Sequence, residues 1–179
     1  MRGQIGSQKR WRDLSIAPAR PRPGPAPAVT RGREPGLWRH KWADRRALAA
    51  DEAELAPAVV LYVADDATVL ETSRGNVFLL ADDGALVTPP LRDDLLPGVT
   101  RRALLDRAAD RGVPTRLAPF TPADLSRARA LFWTSSLSGL VPITAVDGVE
   151  LARADDWLAE FAEALGFGPP ERSGQSGNG

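Results

Sequence analysis

Between Pro57 and Pro90 the chain offers four short apolar runs separated by three turn signals, and that spacing favours a meandering sheet over long helices. Val59–Val63 is apolar and β-branched, and reads as a buried strand. Asp65-Asp66 turns it into Thr68–Glu71. Thr72–Gly75 then leads into Asn76–Leu80, and Asp82-Asp83-Gly84 is a hairpin turn into Ala85–Thr88. Pro89-Pro90 closes the last run, because proline cannot donate to a ladder. Further on, Thr115–Leu117, Ala130–Thr134 and Leu140–Val146 read as strands. Helices are expected from about His40 to Leu55, after Pro97-Gly98 as far as Gly112, from Pro122, and from Asp155 through Leu165. The expectation is an α/β (α+β) domain over residues 37–168, with a mixed, largely antiparallel β core flanked by helices.

The flanks have a different composition. Arg20–Pro27 alternates proline with arginine, glycine and alanine, and residues 1–36 read as a disordered Pro/Arg-rich tail. Residues 169–179 read as a second disordered tail. The formal net charge of zero conceals an uneven distribution, with a sum of +7 over residues 1–40 balanced by −7 over the rest. A basic tail of this kind could touch nucleic acid or an acidic surface, but the expectation is a solvated tail with no nucleic-acid partner. The chain has no cysteine and one histidine, His40, so neither a disulfide nor a Cys- or His-rich metal centre is expected. No apolar run is long enough to cross a bilayer, and the expected setting is cytoplasmic, with no membrane contact.

Three polar stretches interrupt the core pattern. In Leu91–Arg102, Pro97-Gly98 makes a turn and Thr100 is placed to cap the following helix. A glycine turn, a hydroxyl cap, free backbone N–H groups and the cations Arg101 and Arg102 describe an anion site, most naturally for phosphate. The same stretch also reads as a plain connector with solvent-facing arginines. Glu71 ends an apolar run and on its own reads as an exposed strand end. Ser135-Ser136 follows a strong strand and on its own reads as turn residues. Of the 23 basic residues only Lys9 and Lys41 are lysine, and Lys41 alone lies in the expected domain. An arginine cannot replace an amine that must lose its proton and attack a carbonyl, so Lys41 is a candidate for amine chemistry.

Four blocks in order carry a resemblance. They are His40–Arg45, Leu70–Phe78, Thr88-Pro89-Pro90 with Leu96–Arg101, and Thr134-Ser135-Ser136 with Gly139–Pro142. The chain resembles the class IV aminotransferases, the fold-type-IV pyridoxal phosphate enzymes, over about Gly36 to Val149. The resemblance implies the large domain of that fold and pyridoxal 5'-phosphate as cofactor. It makes Lys41 the catalytic amine that bonds the cofactor aldehyde and later moves protons at the substrate. Glu71 is implied beside the ring nitrogen. Val99, Thr100, Ser135 and Ser136 are implied around the phosphate, and Arg45 is placed one helical turn after Lys41, facing the same pocket. Asn76 is read as support for the loop.

The chain departs from the family pattern before Lys41, where members carry a small domain and this sequence has the Pro/Arg-rich stretch. Activity of this polypeptide alone is therefore in question. The form around Lys41 looks like aminodeoxychorismate lyase, which converts 4-amino-4-deoxychorismate to 4-aminobenzoate and pyruvate for folate synthesis. Branched-chain transaminases usually have tyrosine five residues after the lysine, where this chain has Arg46. The alternatives are a branched-chain or D-amino-acid transaminase on the same cofactor, or a truncated relic that keeps the fold without turnover. A small-molecule substrate and a homodimer are the partners implied.

Overall fold

A computed structural model describes residues 23–33, 40, 44–164 and 166. Nine strands form one mixed sheet: β1 Ala26–Gly32, β2 Val59–Val63, β3 Val69–Thr72, β4 Gly75–Leu80, β5 Leu86–Thr88, β6 Thr115–Leu117, β7 Ala130–Ser135, β8 Gly139–Val146 and β9 Val149–Glu150. Three α-helices are described: α1 Arg46–Leu55, α2 Val99–Asp110 and α3 Asp155–Ala164. Pro122–Arg127 is a 3-10 helix.

The strand order β3-β2-β1-β8-β7-β4 is closed by a further pairing of β3 with β4, so six strands form a ring. β5 and β6 extend the sheet beyond β4, and β9 pairs with β8. β1 runs parallel to both β2 and β8, and β5 runs parallel to β6. The remaining pairs are antiparallel, as the short turns between consecutive strands require.

Alternation along the strands sorts side chains to two faces. Val59, Leu61, Val77, Leu79, Leu131, Trp133, Val141 and Ile143 share one buried cluster. On the other face Phe78 and Phe132 pack with Leu104 and Ala108 of α2 and with Leu158 and Phe161 of α3. Val60, Tyr62 and Leu70 pack against Leu48 and Leu55 of α1. Two helices and the aromatic stack of Phe78 on Phe132, 5.6 Å between centroids, therefore cover one side of the β4–β7 pair.

Two sequence expectations are corrected here. Residues 26–32, assigned to the disordered tail, form β1 between β2 and β8. The proline in this segment argued against a central strand. Pro27 sits where the β1–β8 register is irregular, between Ala26↔Ile143 and Ala28↔Val146, which is where a ladder tolerates a missing N–H. Ala28 is buried, and the ladders on both sides supply hydrogen bonds that composition does not reveal. The rest of the 1–36 tail, apart from residues 23–33, and the 169–179 tail lie outside the described residues.

The second correction concerns α1. It starts at Arg46, not near His40, which lies in a bend. The Asp44 carboxylate accepts the Arg46 backbone N–H and also the Arg46 guanidinium, a local turn that competes with helix.

Candidate active site

β3 is bulged. Leu61 pairs with Thr72 and Val63 with Val69, so three steps on β3 face two on β2. The extra residue breaks the alternation, so Val69 can join the interior cluster while Glu71 lies opposite Asn76. Asn76 alternates with Val77 and is therefore on the Phe78 face, the side covered by α2. The bulge thus turns a carboxylate from a strand end into a buried group beside a helix start.

Glu71 is 7% exposed. Its Oε1 accepts from Arg33 Nη1 at 2.7 Å, and its Oε2 accepts from Asn76 Nδ2 at 3.2 Å and from the Leu96 N–H at 3.3 Å. Arg33 Nη1 also donates to the Asp94 carbonyl at 2.9 Å, and Asn76 Nδ2 to the Leu96 carbonyl at 2.8 Å. Burial pushes the Glu71 carboxyl above the usual carboxylate range, while the Arg33 charge and the Leu96 N–H hold it down. Burial and the partners thus act on this carboxyl in opposite directions, with burial the larger effect.

The start of α2 meets the same cluster. Gly98 is its N-cap, in extended conformation, and a Cβ added there would lie 2.1 Å from Asn76 Oδ1. One amide therefore reaches from Glu71 to the helix start. The cap assigned to Thr100 is thereby corrected. Gly98 takes the cap because the close approach of Asn76 leaves no room for a side chain, and Thr100 is the second helical residue, 6% exposed. Val99, Thr100 and Arg101 precede the first intrahelical bond, from the Arg102 N–H to the Gly98 carbonyl, so their N–H groups head the helix. The Val99 side chain is exposed. Arg101 turns inward, is buried, and donates to the Pro89 carbonyl at 2.9 Å. Burial lowers its proton affinity.

Asn76 also pairs with Thr134 across β4–β7, so the strand end carrying Ser135 and Ser136 borders the same amide. Ser135 Oγ accepts the Ser138 N–H at 3.1 Å, and Ser136 is exposed in the β7–β8 turn. Arg45 donates to the Ser73 carbonyl at 3.0 Å, in the turn that follows Glu71. It reaches that turn from the residue before α1. Lys41 itself lies outside the described residues.

The donor set suits pyridoxal phosphate. A buried carboxylate, a helix start and a hydroxyl-bearing strand end meet around one asparagine, and the buried Ser73 Oγ and Thr134 Oγ1 have no hydrogen-bond partner. The class IV aminotransferase family model matches residues 9–146. The chain belongs to the class IV aminotransferases. Enzymes of this family depend on pyridoxal phosphate. The match begins before β1, which agrees with that strand being part of the sheet.

Among curated relatives, the D-alanine aminotransferase of Listeria monocytogenes is 34% identical over 105 residues, 59% of this chain and 36% of that protein. A 4-amino-4-deoxychorismate lyase from Pseudomonas aeruginosa is similar in structure, with a TM-score of 0.68 and 27% identity, over 79% of this chain and 54% of that one. A hypothetical aminotransferase from Mycobacterium tuberculosis in its PLP-bound form shares the fold at a TM-score of 0.71 and 24% identity, over 79% of this chain and 55% of that one. The chain spans about a third of the length of that curated relative. Among the described residues no helix is long and apolar enough to cross a membrane.

The residue that sequence reading missed is Arg33. It lay in the segment read as tail, and an arginine among prolines carries no sign that its guanidinium is buried against a carboxylate 38 residues away. Asn76, read as loop support, touches three parts of the site. Gly98→Ala is expected to push the Asn76 amide off Glu71 with little loss of helix α2, since the obstacle is a side chain, not a backbone. Thermal unfolding should fall by a few degrees, about 1–2 kcal/mol, while anything bound at the α2 start should weaken at least tenfold. Titration with cofactor at fixed temperature measures the second effect.

Proposed function

We propose that this chain binds pyridoxal 5'-phosphate between Glu71 and the start of α2 and acts on a small molecule bearing an amino group. The observation that carries the reading is the buried Glu71, held by Arg33 and Asn76, with the same asparagine against Gly98. When bound, the cofactor supplies an electron sink for bonds at the carbon that carries the substrate amine. Glu71 would stabilise a proton on the ring nitrogen as the carboxylate anion, the form that the Arg33 and Asn76 contacts favour. The backbone of Val99, the hydroxyl of Thr100, and Ser135 and Ser136 take the phosphate, where the α2 dipole favours an anion. Lys41 would be the amine that holds the cofactor and would carry a proton to or from the substrate carbon. Arg45 holds the turn after Glu71 through the Ser73 carbonyl.

Within this chemistry the reading is of the aminodeoxychorismate lyase type, releasing 4-aminobenzoate and pyruvate. It rests on the His40–Arg46 form of the lysine block and is supported by the likeness to the Pseudomonas lyase. A transaminase of D-amino acids is the second reading, favoured by the 34% identity to the Listeria enzyme. The same reading takes the protein as a cytoplasmic homodimer.

The test uses absorbance of the purified protein with added cofactor, before and after borohydride, for wild type and Lys41→Arg. A reducible band in wild type that is absent in the variant is expected. A wild type with no band, or a variant that keeps it, overturns the assignment. Product analysis then decides the reaction: pyruvate with 4-aminobenzoate for the lyase, an exchanged amino group for the transaminase.

A further inference from the structure

Arg33 holds Glu71, and its own position needs explaining. We propose that Tyr62 is a positioning residue for this site: its ring holds the Arg33 guanidinium against Glu71. The inference rests on the reading of Glu71 given above and adds a residue on β2 that none of the four sequence blocks contains.

The geometry begins with register. β1 and β2 run parallel with Arg31 opposite Tyr62, and Arg31 and Arg33 are two residues apart on one face of β1. Tyr62 therefore lies beside both arginines. The Arg33 guanidinium carbon is 4.3 Å from the centre of the Tyr62 ring, within the range of a cation–π contact. Both residues are buried, so water does not compete for either face. The guanidinium has the ring on one side and directs Nη1 at Glu71 Oε1 and the Asp94 carbonyl.

The ring is itself fixed. Tyr62 Oη donates to Asp51 Oδ2 of α1 at 2.7 Å, and Arg31 Nη1 donates to Asp51 Oδ1. Arg31 Nη2 also donates to Glu54, one turn further along α1. Tyr62 is thus tied to a helix by its hydroxyl and belongs to the cluster that Leu48 and Leu55 of that helix cover. Burial and the Asp51 carboxylate keep the phenol protonated at any ordinary pH, so it acts as a fixed donor and a neutral face. A leucine here would fill much of the space but would leave the guanidinium free to tilt away.

Among the described residues, Arg33, just after β1, and Asp94 from the segment before α2 act on Glu71, and Asp51, Arg33 and Arg31 act on Tyr62. Loosening Arg33 removes the main cation facing Glu71, so the carboxyl should titrate at higher pH.

The experiment follows the Glu71 side-chain carboxyl by carbon-13 NMR in cofactor-free protein over a pH series. Tyr62→Leu and Tyr62→Met remove the aromatic face, the second keeping more volume in case the first fails to fold. Both are expected to raise the Glu71 midpoint by about one pH unit. Tyr62→Phe keeps the face and should stay within about a third of that shift. In protein loaded with cofactor, kcat should fall in the Leu and Met variants with KM little changed, because Tyr62 is buried against α1. A Met variant that titrates like wild type overturns the proposal, and so does a Phe variant that shifts as far as Met. A wild type that binds no cofactor would sink the proposed function, while the cofactor-free titration would still decide the role of Tyr62.

Discussion

Arg33→Ala is expected to lower the unfolding free energy by about 3–5 kcal/mol at neutral pH, the usual cost of leaving one buried charge without its partner. The side chains of Arg33 and Glu71 are 3% and 9% exposed and meet at 2.7 Å. Removing the guanidinium strands a carboxylate whose remaining donors among the described residues are neutral, Asn76 Nδ2 and the Leu96 N–H. The loss should depend on pH in a definite direction. Burial already raises the folded Glu71 above its usual value of 4.5, and losing Arg33 raises it further. A carboxyl raised in the folded state binds protons more tightly there than when unfolded. Its contribution is most favourable below the unfolded value and is lost as pH rises through the folded one. The Arg33→Ala penalty should therefore be largest at pH 7 and shrink towards pH 4.5, where Glu71 is protonated and needs no counter-charge. Urea denaturation at the two pH values measures the difference. The double variant Arg33→Met with Glu71→Leu should recover much of the loss, because a buried pair replaced as a whole by apolar groups is often neutral. Equal losses at both pH values would show that Arg33 acts through packing and not through charge.

That pair also marks where the sequence stops being legible. The strands from Val59 to Val146 could be read because each is a short apolar run bounded by glycine, proline or aspartate, and local signals of that kind survive folding. Glu71 could be chosen as a candidate because of the motif around it. Its burial could not be read, because it depends on a bulge in β3 that only the register with β2 reveals. β1 was hidden for a related reason. Its seven residues hold one proline, one glycine and one arginine, and what makes them a strand is the pair of neighbours that β2 and β8 provide. Composition reports what a segment brings to the fold, not what the fold brings to it. The helix cap moved from Thr100 to Gly98 by the same logic, since capping preference counts hydroxyls and the deciding contact was with Asn76, more than twenty residues away.

Gly75→Ala is expected to be the most damaging single methyl that can be added to this sheet. A Cβ at Gly75 would sit 1.9 Å from the carbonyl oxygen of Thr134 and 2.8 Å from its carbonyl carbon. Both are backbone atoms of β7, which is paired on its two sides with β4 and β8. No rotamer change relieves that contact, so the strands must move apart. Overpacking usually costs about 1–3 kcal/mol, and an obstacle fixed by two ladders should place this change at the upper end, about 3 kcal/mol or more. The displacement also falls on the site. Gly75 opposes Thr72, and the next residue, Asn76, opposes Glu71 on one side and Thr134 on the other. Opening the β4–β7 ladder there separates the asparagine, with the β3 carboxylate it opposes, from the strand end that carries Ser135. Gly32→Ala provides the control, since a Cβ at Gly32 meets nothing within 4 Å and φ there is not in the left-handed region. That change should lie within about 0.5 kcal/mol of wild type. Thermal and urea unfolding of both variants, with cofactor titration of whatever folds, tests the contrast. A Gly75→Ala protein as stable as Gly32→Ala would mean that the ladder at Thr134 is loose, and the packing of the site around Asn76 would fail with it.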